Sequence, residues 1–121
     1  MVGYFFDSYA VIELLKGNPS YTKYSQEPFI LSLFNLVEVY WNALHELGEQ
    51  EADALFERLR DCVVELSDDV LKEAIRFRKK NKKRDLSYAD CIGYCYALQH
   101  SLLFLTGDKE FEGLLHVEFV K

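Results

Sequence analysis

The chain lacks any run of about 20 unbroken apolar residues, so no segment is expected to cross a membrane. The best stretch, in its last third, is broken by Asp90, Gln99 and His100. There is no Gly-rich phosphate loop and no GxSxG elbow, which removes two common routes to nucleotide binding and acyl transfer. Cysteine is scarce and odd in number (Cys62, Cys91 and Cys95), and no signal peptide is recognisable. Cys91 and Cys95 stand one helical turn apart, where small apolar side chains pack. A zinc site would need more ligands than the nearby His100 supplies. Reduced core thiols and a cytoplasmic location are the expectation. The three histidines, His45, His100 and His116, have no nucleophile at a recognisable spacing. Positive charge is also short: the net charge of −6 argues against a nucleic-acid binder held by bulk potential. No repeat, low-complexity segment or linker interrupts the chain.

What is present describes one packed domain, residues 1–121, with half its residues apolar and 15% aromatic. The charge is unevenly placed. The segment RFRKKNKKR, 76–84, carries half of all Lys and Arg. Its bland reading is a solvated helix terminus that suits the helix dipole. Its functional reading is a phosphate track made of Lys79, Lys80, Lys82, Lys83 and Arg84.

Short apolar segments alternate with helical ones. Strands are expected at VGYFF, PFILS, CVVEL, LLFLT and HVEFV, and helices at SYAVIELLK, LFNLVEVYWNALHEL, QEADALFERLRD, SDDVLKEAIRFRKK and LSYADCIGYCYALQH. YTKYSQE and KEFEGL read as short helical turns. This order predicts an α/β fold with a mostly parallel sheet of four to five strands, covered on both faces. In such sheets, sites form beyond the carboxyl ends of the strands.

Four acids stand out against this framework. Asp7 follows the first strand, and reads either as a site residue or as the N-cap of the next helix. Glu38 is the only charge in FILSLFNLVEVYW, on a side of the helix shared with Asn35, Asn42 and His45. Asp90 lies in LSYADCIGYCYALQH, three residues after Ser87, at the spacing of a capping box. Asp108 belongs to LTGDKEF, where Thr-Gly-Asp is also good turn chemistry. None decides the case alone. If all four meet, their repulsion must be cancelled by a hard divalent cation, magnesium or manganese, for which carboxylate oxygens are natural ligands. With no side-chain base in evidence, the nucleophile would be water activated by that metal. Removing the four from the charge sum would leave −2, so much of the acidity belongs to this one cluster.

In the segments FFDSYAVIELLKG, NLVEVYW, LSYADCIGYCYAL and LFLTGDKEFEGL, in that order, the chain resembles PIN-domain nucleases. It is most similar to the small VapC-type toxins of toxin–antitoxin pairs. The resemblance spans nearly the whole chain. It implies a three-layer α/β/α fold and magnesium- or manganese-dependent endoribonuclease activity, leaving 3′-hydroxyl and 5′-phosphate ends. It also implies that Asp7, Glu38, Asp90 and Asp108 are the catalytic acids and metal ligands, with Thr106 and Ser87 in support. Asp7, Asp90 and Asp108 would hold one metal, with Glu38 reaching it through water or holding a second. Family members often form homodimers and are held inactive by a cognate antitoxin. The sequence departs from the pattern at Tyr9, where a small residue is usual, and Asp108 stands at the family's most variable acid.

Other readings fit less well. A phospho-accepting receiver needs an Asp closing a central strand, which CVVELS does not supply. A haloacid-dehalogenase-type phosphatase needs Asp-x-Asp, and Tyr9 fills the second place. The remaining alternative is a catalytically silent PIN-fold module that binds RNA or protein.

Overall fold

The structure, a computed structural model, describes residues 2–121; Met1 lies outside the described residues of the expected domain. Its first strand, β1, is Tyr4–Phe6, followed by helix α1 at Ser8–Leu15 and a 3₁₀ segment at Pro19–Gln26. Helices α2 (Leu33–Leu47), α3 (Glu49–Arg60), α4 (Asp68–Lys80) and α5 (Tyr88–Gln99) come next. Strand β2 (Leu103–Thr106), a 3₁₀ turn at Lys109–Phe111 and strand β3 (Val117–Phe119) complete the chain. The strands pair in the order β1-β2-β3, all parallel, with Phe5 opposite Phe104 and Leu105 opposite Glu118.

The expected strands at PFILS and CVVEL are reduced to one parallel bridge, Leu31 to Val63. PFILS lies beside β1, the Phe6 amide donating to the Ile30 carbonyl at 2.8 Å, and CVVEL lies beside PFILS in turn, the Val64 amide donating to the Leu31 carbonyl at 2.9 Å. Their brevity has a local cause. Ser32 and Ser67 are already the N-caps of α2 and α4, so the chain turns into a helix just after each pairing. Pro28 also lacks the amide a longer ladder would need.

Alternation along the strands divides the core into two layers. Phe6 and Leu105 pack with Val11, Leu36, Val39 and Leu55, from α1, α2 and α3. Phe5 and Phe104 face the other way, toward Val70, Ala74, Cys91, Ile92 and Phe111, largely on α4 and α5. The result is the three-layer α/β/α arrangement. Helix α5 is apolar nearly all round because it lies close on the sheet. A Cβ on Gly93 would come within 2.6 Å of the Phe5 ring. Cys91 and Cys95 are buried free thiols, their pKa values raised to about 12 and about 11 chiefly by burial. Among the described residues no helix is long and apolar enough to cross a membrane.

Candidate active site

Three of the four acids stand at helical N-termini that gather at the carboxyl ends of β1 and β2. Asp7 leaves β1 and caps α1, its Oδ1 accepting from the Ala10 amide at 2.8 Å. Asp108 is the second residue after β2 and caps the 3₁₀ turn, its Oδ1 accepting from the Glu110 amide at 3.0 Å. Asp90 lies in the first turn of α5. Its Oδ2 accepts from the Ser87 amide at 2.9 Å, and its own amide donates to Ser87 Oγ at 3.0 Å, a complete capping box. Capping and site membership are therefore compatible. Each aspartate commits one carboxylate oxygen to a helical terminus, whose positive dipole end favours the charge, and keeps a second oxygen outside the cap.

Glu38 arrives from α2 and is held differently. Ser8, the first residue of α1, donates its hydroxyl to Glu38 Oε1. Ser8 Oγ in turn accepts from Asn35 Nδ2 at 3.1 Å. Asn35 is buried, and its Oδ1 accepts from the backbone amide and the hydroxyl of Ser32 at 3.1 and 2.7 Å. Of the polar side predicted for this helix, Asn35 is thus an internal brace and not a wet surface residue. Ser8 had no sequence signal beyond following Asp7.

Asp7, Glu38, Asp90 and Asp108 all line one open cleft of about 850 Å³, together with Ser8, Tyr9, Ser87 and Gly107. Among the described residues no three acid, histidine or cysteine side chains already close into a ligand cage. The acids share a cleft without being drawn together to ligand distance. Thr106, fully buried, bears on two of them: its Oγ1 accepts from the Asp108 amide at 3.0 Å, and its side chain favours the charged form of Asp7.

The electrostatics single out Asp7. Its side chain is 3% exposed, and its pKa is raised to about 8. Burial is the main cause; the hydrogen bonds from Thr106 and Ala10 oppose it, and the charges of Asp90 and Asp108 add to it. Asp90 is shifted upward as well, first by burial, with Asp108 and Glu38 contributing. The ion pairs among the described residues are Lys16–Glu13 and Arg76–Glu73, neither of which touches these acids. An all-oxygen donor set around a buried carboxyl that no side-chain cation neutralises fits a hard divalent ion.

The basic run divides on inspection. Lys79, Lys80, Lys82 and Lys83 are exposed and do not line the cleft. Arg84 bonds through Nη1 to the Glu110 carbonyl, tying the segment before α5 to the 3₁₀ turn that carries Asp108. Arg78, in the same run, does line the cleft, as do Asp85, Lys109, Glu110 and Lys121. None of these five was singled out for the site from the sequence. Arg78 was hidden inside a charge run whose other members point elsewhere.

The PIN domain family matches residues 4–114. The chain belongs to the PIN domain family. No curated protein matches it. Among solved structures, this PIN domain is similar to the Mycobacterium tuberculosis toxin VapC20, described as cleaving the sarcin–ricin loop, with a TM-score of 0.79. Identity there is 18%, over 98% of this chain and 100% of that one. A toxin–antitoxin complex from Klebsiella pneumoniae gives a TM-score of 0.74 at 22% identity, covering 96% and 95% of the two chains. VapBC-1 from nontypeable Haemophilus influenzae gives 0.71 at 21%, covering 98% and 96%. At these identities the likeness establishes the fold.

Proposed function

We propose that this PIN domain is a magnesium- or manganese-dependent endoribonuclease of the VapC type, the toxin of a toxin–antitoxin pair. The observation that carries the reading is the meeting of Asp7, Glu38, Asp90 and Asp108, distant in the chain, in one cleft at the carboxyl edge of the sheet. A divalent cation bound there would activate water and offset charge on the phosphoryl oxygens.

The chain's own residues prepare that site. Asp7, Asp90 and Asp108 are its proposed ligands, each fixed by a helical cap. Glu38 is aimed by the Ser8–Asn35–Ser32 chain of hydrogen bonds, and reaches the ion through water or holds a second one. Thr106 and Ser87 act as supports, the first orienting Asp7 and Asp108, the second Asp90. Lys79, Lys80, Lys82, Lys83 and Arg84 provide a basic flank for RNA outside the cleft.

Partners follow from the same reading. The substrate is RNA, a cognate antitoxin covers the cleft, and the toxin is a cytoplasmic homodimer. Phe34, Val37 and Trp41, on one side of α2 and 44%, 59% and 66% exposed, support contact with protein. The test is cleavage of a mixed pool of structured RNAs by the purified protein, with and without manganese, with Asp7→Asn as the control for contaminating nuclease. Metal-dependent ends carrying 5′-phosphate, absent with Asp7→Asn, are the expected result. RNA binding without turnover in either metal would leave the silent binding module as the reading.

A further inference from the structure

An acidic cleft that accepts a polyanion needs a cation inside it, and the exposed lysines of the basic run lie outside. Among the described residues, Arg78 is the one arginine that lines the cleft. It is held in place twice. Nε donates to the Leu86 carbonyl at 2.9 Å, and Cζ stands 4.4 Å from the centroid of the Tyr88 ring. Tyr88, 57% exposed, opens α5, the helix whose first turn holds Ser87 and Asp90.

This bracing leaves the business end of the guanidinium uncommitted. The Leu86 bond uses one of five donors. Among the described residues, neither terminal amino group has a hydrogen-bond or ion-pair partner, although Asp85, Asp90, Asp108 and Glu110 line the same cleft. An arginine surrounded by acids yet paired with a carbonyl and an aromatic ring presents its planar fork to an anion from outside. The Tyr88 ring packs against that fork, and arginine, unlike lysine, offers parallel donors matched to phosphate oxygens.

We propose that Arg78, braced by Leu86 and Tyr88, binds an RNA phosphate adjoining the scissile one, and so sets where along the strand the acids act. This rests on the nuclease reading above.

The test measures binding of a single-stranded RNA probe across a salt series, in the Asp7→Asn background so that no cleavage intervenes. Arg78→Ala is expected to weaken affinity about tenfold at low salt. It is also expected to flatten the slope of log affinity against log salt by about 0.7, one phosphate contact. Arg78→Lys keeps the charge but not the fork, so its slope should match the parent while its affinity stays below it. If Arg78 merely clamps Leu86, Arg78→Ala will lower the melting temperature and leave the slope unchanged, which overturns the proposal. Should Arg78→Ala fail to fold, Arg78→Lys decides: affinity equal to the parent overturns the proposal, and reduced affinity at an unchanged slope supports it. A parent that binds no RNA would bring down the nuclease reading and this one together. Wild-type cleavage with an unchanged Arg78→Ala slope would remove only the role of Arg78.

Discussion

Asp7 shows how one side chain serves folding and chemistry at once. Its Oδ1 closes the start of α1, while burial beside Asp90 and Asp108 makes its charge costly. Asparagine at this position keeps an oxygen for the Ala10 amide and is itself a good N-cap. Asp7→Asn is therefore expected to stay folded while cleavage falls by roughly 10²-fold or more, since it removes a proposed charged ligand. Full activity of this variant with magnesium would refute its assignment. Ser8 offers a finer probe. It touches Glu38 but is no proposed ligand, so Ser8→Ala should cost about 10- to 100-fold in activity by loosening Glu38, as loss of an outer-shell orienting group does. The substitution also leaves the buried Asn35 Nδ2 without its acceptor, so the melting temperature should fall by a few degrees; a rate equal to wild type would mean that Glu38 needs no such brace.

At the level of elements, close approach of backbone to side chain fixes the rim of the cleft. A Cβ built on Gly107 would stand 2.1 Å from the Tyr9 ring and 2.6 Å from the Val120 carbonyl oxygen. The ring occupies the space that the missing side chain leaves, between the two strand ends that carry Asp7 and Asp108. Tyr9, the departure from the family pattern, is thus accommodated by a glycine far away in sequence. Gly107→Ala is expected to destabilise the fold by about 1–3 kcal/mol, as overpacking does. Adding Tyr9→Ala should recover only part of that loss, because the Val120 carbonyl still conflicts; full recovery, read by urea denaturation, would contradict this packing. Such dependence was not legible in the sequence, where Gly107 read simply as a turn residue. The helices were far more legible. LFNLVEVYWNALHEL coincides with α2, because Ser32 and Gly48 mark its ends and its apolar spacing is regular. Strands of three or four residues give a weaker signal. PFILS and CVVEL carried the composition of strands, yet the helix caps that follow them confined each to a single bridge.

For the whole molecule, the placement of Asp7 and Asp108 was legible because topology supplied it: residues after parallel strands share an edge, whereas Glu38 and Asp90 arrive from helices α2 and α5. What the sequence did not reveal was how far Asp7 is removed from water, since burial depends on every layer around it. That burial links folding, pH and metal. In the unfolded chain the Asp7 carboxyl titrates near 3.8, and in the folded protein near 8. Between these values the native state holds a proton that the unfolded state has released. Stability of the metal-free protein therefore falls as pH rises through the window, by on the order of 1 kcal/mol per pH unit from this group, and levels off above about pH 8. Asp90, shifted in the same direction, adds to the trend. The difference between wild type and Asp7→Asn isolates the Asp7 share: in chelator, the variant should gain relative stability steadily from about pH 5 to about pH 8. A bound divalent ion selects the deprotonated carboxylate, so the sign reverses when metal is added. Manganese should raise the melting temperature of the wild type more at about pH 8 than at about pH 5.5, and that of Asp7→Asn much less at either. A melting temperature indifferent to manganese at both values would separate the acid cleft from metal binding, whatever the nuclease assay showed.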